Sequence, residues 1–292
     1  MLNRREAIKT LVLGSTAFYW SSLAASDKES DGTATRQLRF SVTCTNPTSH
    51  ALVDQHLYMY VPVSKTGRVR LTQIKTEAQH ALVTDVLGHT ILELSIPFLP
   101  SYGQRSIDVA LFIEVAPNQT QESLATERLE QWLLRQRFIE SDNAKIITHA
   151  ALLKRNLTID TVKVIYDWVV SNMNYAGYQA QDYGAMYALQ ELRGDCTEYA
   201  SLVVALCRAN LIPARRVGGY VTDRNMAPKP SDYHDWAEVW IDKQWRIVDA
   251  QKSIFFQNEE QYIAFRFYWD KSINKMELAH RYRVDGEMLV RL

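Results

Sequence analysis

The chain has 292 residues, 47% of them hydrophobic, with 33 basic and 33 acidic side chains. Length allows two domains at roughly 150 residues each, and the apolar fraction is that of a soluble globular protein. Balanced charge, with no basic stripe carrying interleaved aromatics, excludes an electrostatic reason to bind nucleic acid or an anionic membrane.

The first residues read as an address. Asn3-Arg4-Arg5-Glu6-Ala7-Ile8-Lys9 precedes a short apolar run and then Ser22-Leu23-Ala24-Ala25. A basic start, an apolar centre and small residues at a cleavage point make an export signal over 1–24. The paired arginines match the twin-arginine type. The apolar run falls short of the ~20 residues a spanning helix needs, so no stable membrane span is expected in the mature chain. Loss of Met1 to Ala24 removes Arg4, Arg5, Lys9 and Glu6 and leaves a net charge of about −2. Residues 25–36, small and polar, read as a tether.

From Gln37 the pattern alternates. Leu38–Val42, Leu57–Val61, Val69–Ile74, Ile91–Ile96 and Ile107–Val115 are predicted strands, separated by turn residues such as Asn46-Pro47 and Leu87-Gly88. With no helical stretch between them, residues 37–118 are expected to form an all-β sandwich. His50, His56, His80 and His89 within it are assigned to surface or turn positions. After Pro117-Asn118 the period becomes helical. Leu129, Trp132, Leu133 and Gln136 share one face, Ile146 to Leu153 suggests a second helix, and Thr161 to Asn172 a third, capped by Asp160. A short helix is expected over Gly184–Leu192. Strands follow at Ala214–Thr222, Trp236–Ile241 and Trp245–Val248, with weaker runs at Phe265–Tyr268 and Tyr282–Val284. Helices before an antiparallel sheet describe an α+β domain over 119–292.

Gly194-Asp195-Cys196 opens the most informative helix. Asp195 is a preferred N-cap, and Ala200, Val203 and Cys207 recur at helical spacing from Cys196. A thiol in the first turn meets unpaired N–H groups, which is expected to lower its pKa. Cys44, Cys196 and Cys207 are an odd number, so at least one is outside any internal disulfide. Cys196 and Cys207 lie too far apart on one helix to bridge. No CxxC pair exists, which removes a thiol redox role for those two. Nor do His and Cys fall at metal-binding spacing, and neither metal nor cofactor is expected.

Tyr233 to Asp249 reads as a β-hairpin. With Asp242-Lys243 as a two-residue loop, Ile241 pairs with Gln244 and Trp236 faces Asp249. His234 then shares a face with Asp249, roughly 7 Å away between backbones. Cys196, His234 and Asp249 thus supply a nucleophile, a base and a group that orients the base, the logic of a triad that forms a thioester.

These blocks resemble the transglutaminase-like superfamily. The resemblance rests on Gly194 to Ala200, Ala205 to Ala209, Ile212 to Arg215, Gly219-Tyr220, His234 to Val239, Trp245 and Val248-Asp249, in that order, over about Ile159 to Ala250. One departure is Ala250, where many members carry Pro. The resemblance implies two domains, an N-terminal all-β sandwich and an α+β papain-like, transglutaminase-like core, with Cys196, His234 and Asp249 catalytic. It implies an exported, periplasmic or extracellular enzyme acting on amide or peptide bonds of a protein or peptide substrate, cell-envelope material included. Hydrolysis is favoured over cross-linking because water needs no recruitment. Asn172, Asn174, Tyr175 and Tyr178 are candidates for a second oxyanion donor beside the Cys196 N–H. Trp236, Trp240 and Trp245 are expected in the core or the pocket wall. The alternative is a non-catalytic binding or assembly protein that kept the fold.

Overall fold

The computed structural model describes residues 33–63, 67–116 and 128–292. The proposed export signal lies outside them, as do Pro117-Asn118 and most of the proposed tether. Among the described residues no helix is long and apolar enough to cross a membrane.

The N-terminal part is a β-sandwich. Strands β1 (Ala34–Thr45), β2 (Leu52–Val61), β3 (Val69–Lys75), β4 (Gln79–Thr84), β5 (Thr90–Leu99) and β6 (Gln104–Val115) divide between two antiparallel sheets. Leu38, Phe40, Val42 and Cys44 alternate along β1 and are buried, as are Ile107, Val109, Leu111, Ile113 and Val115 along β6. Period-2 burial of this kind sets the register, because a one-residue slip would turn every apolar side chain to water. β4 has no alternation to read: all six of its residues are exposed.

The core that follows begins with a 3-10 turn at Leu129–Leu133, shorter than the helix its apolar spacing suggests, with Trp132 buried. Helices α1 (Ala144–Leu153), α2 (Thr158–Asn172), α3 (Ala185–Glu191) and α4 (Cys196–Ala209) come next. α1 is capped by Asn143, which accepts the Lys145 N–H. Leu157, at the N-cap position of α2, makes no side-chain cap, and Asp160 sits in the first turn instead. A five-stranded antiparallel sheet completes the layer pair, with β9 (Ala214–Val221), β10 (Tyr233–Ile241), β11 (Gln244–Asp249), β12 (Ile254–Phe255) and β13 (Tyr262–Phe267) in the order β12-β11-β10-β9-β13. Two-residue strands β7 (Asn174–Tyr175) and β8 (Arg193–Gly194) pair in parallel.

α4 is the centre of this layer, packed on β9, β10 and β11 and flanked by the other helices. Ala200 to Arg208 is buried on every side. Each Val or Leu in that run contributes roughly 1.5–3 kcal/mol by leaving water. Beyond the sheet, Trp132, Trp236, Trp245 and Phe267 form a second apolar cluster. Arg215 lies within it, 3.9 Å from the Trp245 ring centre and 3.8 Å from that of Phe267. Its charge is met by Glu238 at 2.7 Å.

Two strands depart from the expected boundary of the core. β14 (Tyr282–Asp285) pairs with β2, and β15 (Leu289–Arg291) pairs with β1. Residues 282–291 therefore belong to the sandwich sheets and not to the core, because their short apolar faces are covered only there. The sandwich also reaches the core through His89, assigned to a surface or turn position; it follows the turn at Val86-Leu87 but is 1% exposed. His50 and His80 are exposed as expected, and His56 is half-buried.

Candidate active site

The N-terminus of α4 is closed by a capping box. Asp195 accepts the Thr197 N–H at 2.8 Å, and Glu198 reaches back to the Asp195 N–H at 3.1 Å. Such a cap stabilises a helix by about 1 kcal/mol. Here it also holds a loop. The second Asp195 oxygen accepts the Gln179 N–H at 2.8 Å, and Glu198 Oε1 accepts the Tyr183 N–H at 2.9 Å. Two carboxylates at the foot of one helix thereby fix the segment 179–184 beside Cys196. Gly194 is required for this, since a Cβ there would collide with the Glu198 side chain.

The hairpin has the register read from sequence. Ile241 pairs with Gln244 and Ala237 with Val248 around Asp242 and Lys243, whose φ angles of 51° and 62° are those of a two-residue turn with both central residues left-handed. His234 and Asp249 are thereby brought together, with Nε2 of His234 2.6 Å from Asp249 Oδ2. A carboxylate only accepts, so the imidazole proton lies on Nε2 and Nδ1 is left as a base. Asp249 is 1% exposed. Its Oδ1 accepts the Lys252 N–H at 3.0 Å, and its Oδ2 accepts a second hydrogen bond, from the Tyr262 hydroxyl at 2.9 Å.

Cys196 is the only cysteine with exposed surface; Cys44 and Cys207 are buried, and all three are free. Burial pushes the Cys207 thiol up to about 12. Cys196 takes a hydrogen bond from the backbone N–H of Asp235, the neighbour of His234 on β10, so helix and strand meet at the thiol. The expected lowering of its pKa is not found. Burial pushes the thiol well up, the carboxylates of Asp235 and Asp195 push the same way, and the Asp235 N–H and Thr197 oppose them more weakly. Burial of the thiol is the largest cause, and Asp195 also accepts the Thr197 N–H at the helix terminus that would otherwise favour a thiolate.

Cys196 and His234 open into one cleft of about 1640 Å³, lined also by Tyr175, Tyr178, Gln179, Arg224, Met226 and Arg281. Of the four oxyanion candidates, Tyr175 and Tyr178 line this cleft. Asn172 instead donates to the Trp168 carbonyl of its own helix, and Asn174 pairs with Arg193 in the β7–β8 ladder. Trp236 and Trp245 are buried in the core, and Trp240 is half-buried. Beneath the cleft, the Arg216 guanidinium lies 2.7 Å from Asp182 and 3.1 Å from the Ser201 hydroxyl. Among the described residues no three His, Cys, Asp or Glu side chains are grouped as for a metal ion.

Tyr262, Asp235 and Glu198 were missed from sequence. Glu198 was open to detection, since Asp195-x-x-Glu198 is a capping-box pattern. Tyr262 lies thirteen residues beyond Asp249 on another strand, and no local spacing marks it.

Residues 148–250 match the family model of the transglutaminase-like superfamily. No curated protein sequence matches the chain. A candidate cysteine protease from Cytophaga hutchinsonii aligns with a TM-score of 0.59 at 17% identity, over 89% of this chain and 90% of that one. The periplasmic domain of TgpA from Pseudomonas aeruginosa aligns with a TM-score of 0.42 at 14% identity, over 77% of this chain and 89% of that one. The first likeness is one of fold and runs across both sandwich and core.

Proposed function

We propose that this chain, with its transglutaminase-like domain, is an exported cysteine enzyme that hydrolyses amide or peptide bonds through a thioester. The single observation that carries the reading is the meeting of β10 with α4. The Asp235 N–H bonds the Cys196 thiol, and the adjacent His234 is held by Asp249 at 2.6 Å.

Because burial and two carboxylates keep the thiol neutral, the proton leaves as the bond forms. Cys196 Sγ attacks the substrate carbonyl carbon while its proton passes to His234 Nδ1, and the carbonyl π pair moves to oxygen. The Cys196 N–H is one donor to that oxyanion, with Tyr175 or Tyr178 available as the second. Collapse breaks the C–N bond, and the amine leaves with the His234 proton. Water then attacks the thioester, giving its proton to His234. The S–C bond breaks, the acid is released, and the thiol is restored. Asp249 holds the imidazolium through both halves.

The substrate is a protein or peptide, with cell-envelope material favoured by the export signal proposed for residues 1–24. p-Nitrophenyl acetate tests the chemistry. The intact chain is expected to release a burst of one p-nitrophenolate per molecule and to carry acetyl on Cys196 by mass spectrometry, and Cys196→Ala to do neither. An equal burst from Cys196→Ala would overturn the reading. Added methylamine separates the two fates of the acyl group, with acetate expected over N-methylacetamide.

A further inference from the structure

We infer that Tyr262 is a positioning residue, setting through Asp249 how strongly His234 holds the proton of Cys196. The inference rests on the role proposed above for Cys196 and His234. Its basis is one oxygen atom: Asp249 Oδ2 accepts from His234 Nε2 at 2.6 Å and from the Tyr262 hydroxyl at 2.9 Å.

Both donors compete for the same electron density. A hydroxyl bound to a carboxylate oxygen disperses part of its charge, leaving less to attract the imidazolium on the other side. Tyr262 is suited to this work because it never leaves or ionises. Its ring is 4% exposed and packs edge-on to Trp236, with ring centres 5.1 Å apart, while Trp236 stacks beside His234. Burial, then the charge and hydrogen bond of Asp249, hold the phenol far above its usual range, so it remains a donor at any working pH. The strand that carries it is held along β9, since Tyr262 pairs with Val221 and the Thr222 N–H donates to the Gln261 carbonyl.

Other titratable groups face the pair from the elements around it. Tyr166 of α2 lies within the field of Asp249, and Lys163 lies within that of Tyr166. Cys196 of α4 lies between Asp195 and Asp235. Lys252 follows Asp249 and lines the cleft. Among the described residues, Tyr262 alone shares the oxygen that His234 uses.

The test is the pH dependence of Cys196 alkylation by iodoacetamide on the full chain, located by peptide mass spectrometry. It needs no substrate and no oxyanion donor. Tyr262→Phe keeps the ring and removes the donor, returning charge to Asp249. The alkylation midpoint is expected to move down by about half a pH unit, raising the rate about threefold at pH well below the midpoint. In an Asp249→Asn background the same substitution is expected to leave the midpoint in place, which a merely structural role would not predict. A Tyr262→Phe profile that superimposes on the parent, moves to higher pH, or moves equally in both backgrounds overturns the inference. His234→Ala keeps the two claims apart. If it leaves the alkylation profile unchanged, the proposed role of His234 fails; if it alters the profile and Tyr262→Phe does not, only the role of Tyr262 fails.

Discussion

His89, in the sandwich, accepts the backbone N–H of Phe267, in the core, at 2.9 Å. Its other ring nitrogen lies 2.7 Å from the Asp85 carboxylate, which also accepts from the Asn274 amide at 2.7 Å. One buried imidazole thus joins the sandwich to the outermost strand of the core sheet.

This junction predicts an acid weakness. Burial alone would push the Asp85 carboxyl up, but hydrogen bonds from His89 and Asn274 hold it below the usual carboxylate range. A depressed native value contributes stability above the unfolded value of about 3.9, and that contribution is lost as pH falls toward the native one. Asp85→Asn is expected to be less stable than the parent at pH 6 and to lose less on going to pH 3. Urea denaturation at the two pH values measures this, and parallel losses in both proteins would contradict it.

Asp235 supplies a second prediction. It is the largest charge acting to keep the Cys196 thiol neutral. Asp235→Asn retains the backbone N–H and removes the charge. Alkylation of Cys196 at pH 7 is expected to accelerate about threefold to tenfold, equivalent to lowering the thiol by half to one pH unit. An unchanged or slower rate would show that the carboxylate does not govern the thiol.

Glu198, fully buried, accepts from Asp195, Tyr183 and Gly184. Burial pushes its carboxyl up. Glu198→Ala strands these three N–H groups and is expected to cost about 3 kcal/mol or more, at ~1–3 kcal/mol for each buried donor left unmet. Glu198→Gln keeps the acceptor oxygen and should recover more than half of that loss. Thermal unfolding ranks the three proteins, and equal melting points would remove the claim.

The hairpin turn carries strain that can be relieved. Lys243 adopts φ 62°, a left-handed conformation that glycine reaches freely. Lys243→Gly is expected to stabilise by about 0.5–1 kcal/mol, since the left-handed penalty of ~1–2 kcal/mol is partly offset by added freedom in the unfolded chain. A fall in melting temperature would contradict this.

The parts of the site that could be read from sequence are those whose geometry is local. A two-residue turn between two alternating runs leaves one in-register pairing that keeps both apolar faces buried, and the meeting of His234 and Asp249 follows from it. The Asp195 cap could be read for the same reason. Tyr262 and His89 could not, because each acts on a partner in another strand whose position depends on the whole fold. The direction of the Cys196 shift was not legible because it is set first by burial, which the whole fold decides, and then by the charge of Asp235 on another strand. The place of β14 and β15 in the sandwich was obscured by length, although Tyr282–Val284 reads as a weak strand. Four and three residues are too few for a period, and only the open edges of β2 and β1 give them a place.

Those two short strands have a consequence for biogenesis. The sandwich is begun by residues 34–115 and closed by residues 282–291, so the whole core is a detour between its opening and its closing strands. On a ribosome the sandwich edges stay bare until the core has been made. A nick within the core would leave two fragments still clasped through the sandwich, and the two parts cannot be exchanged as beads on a string.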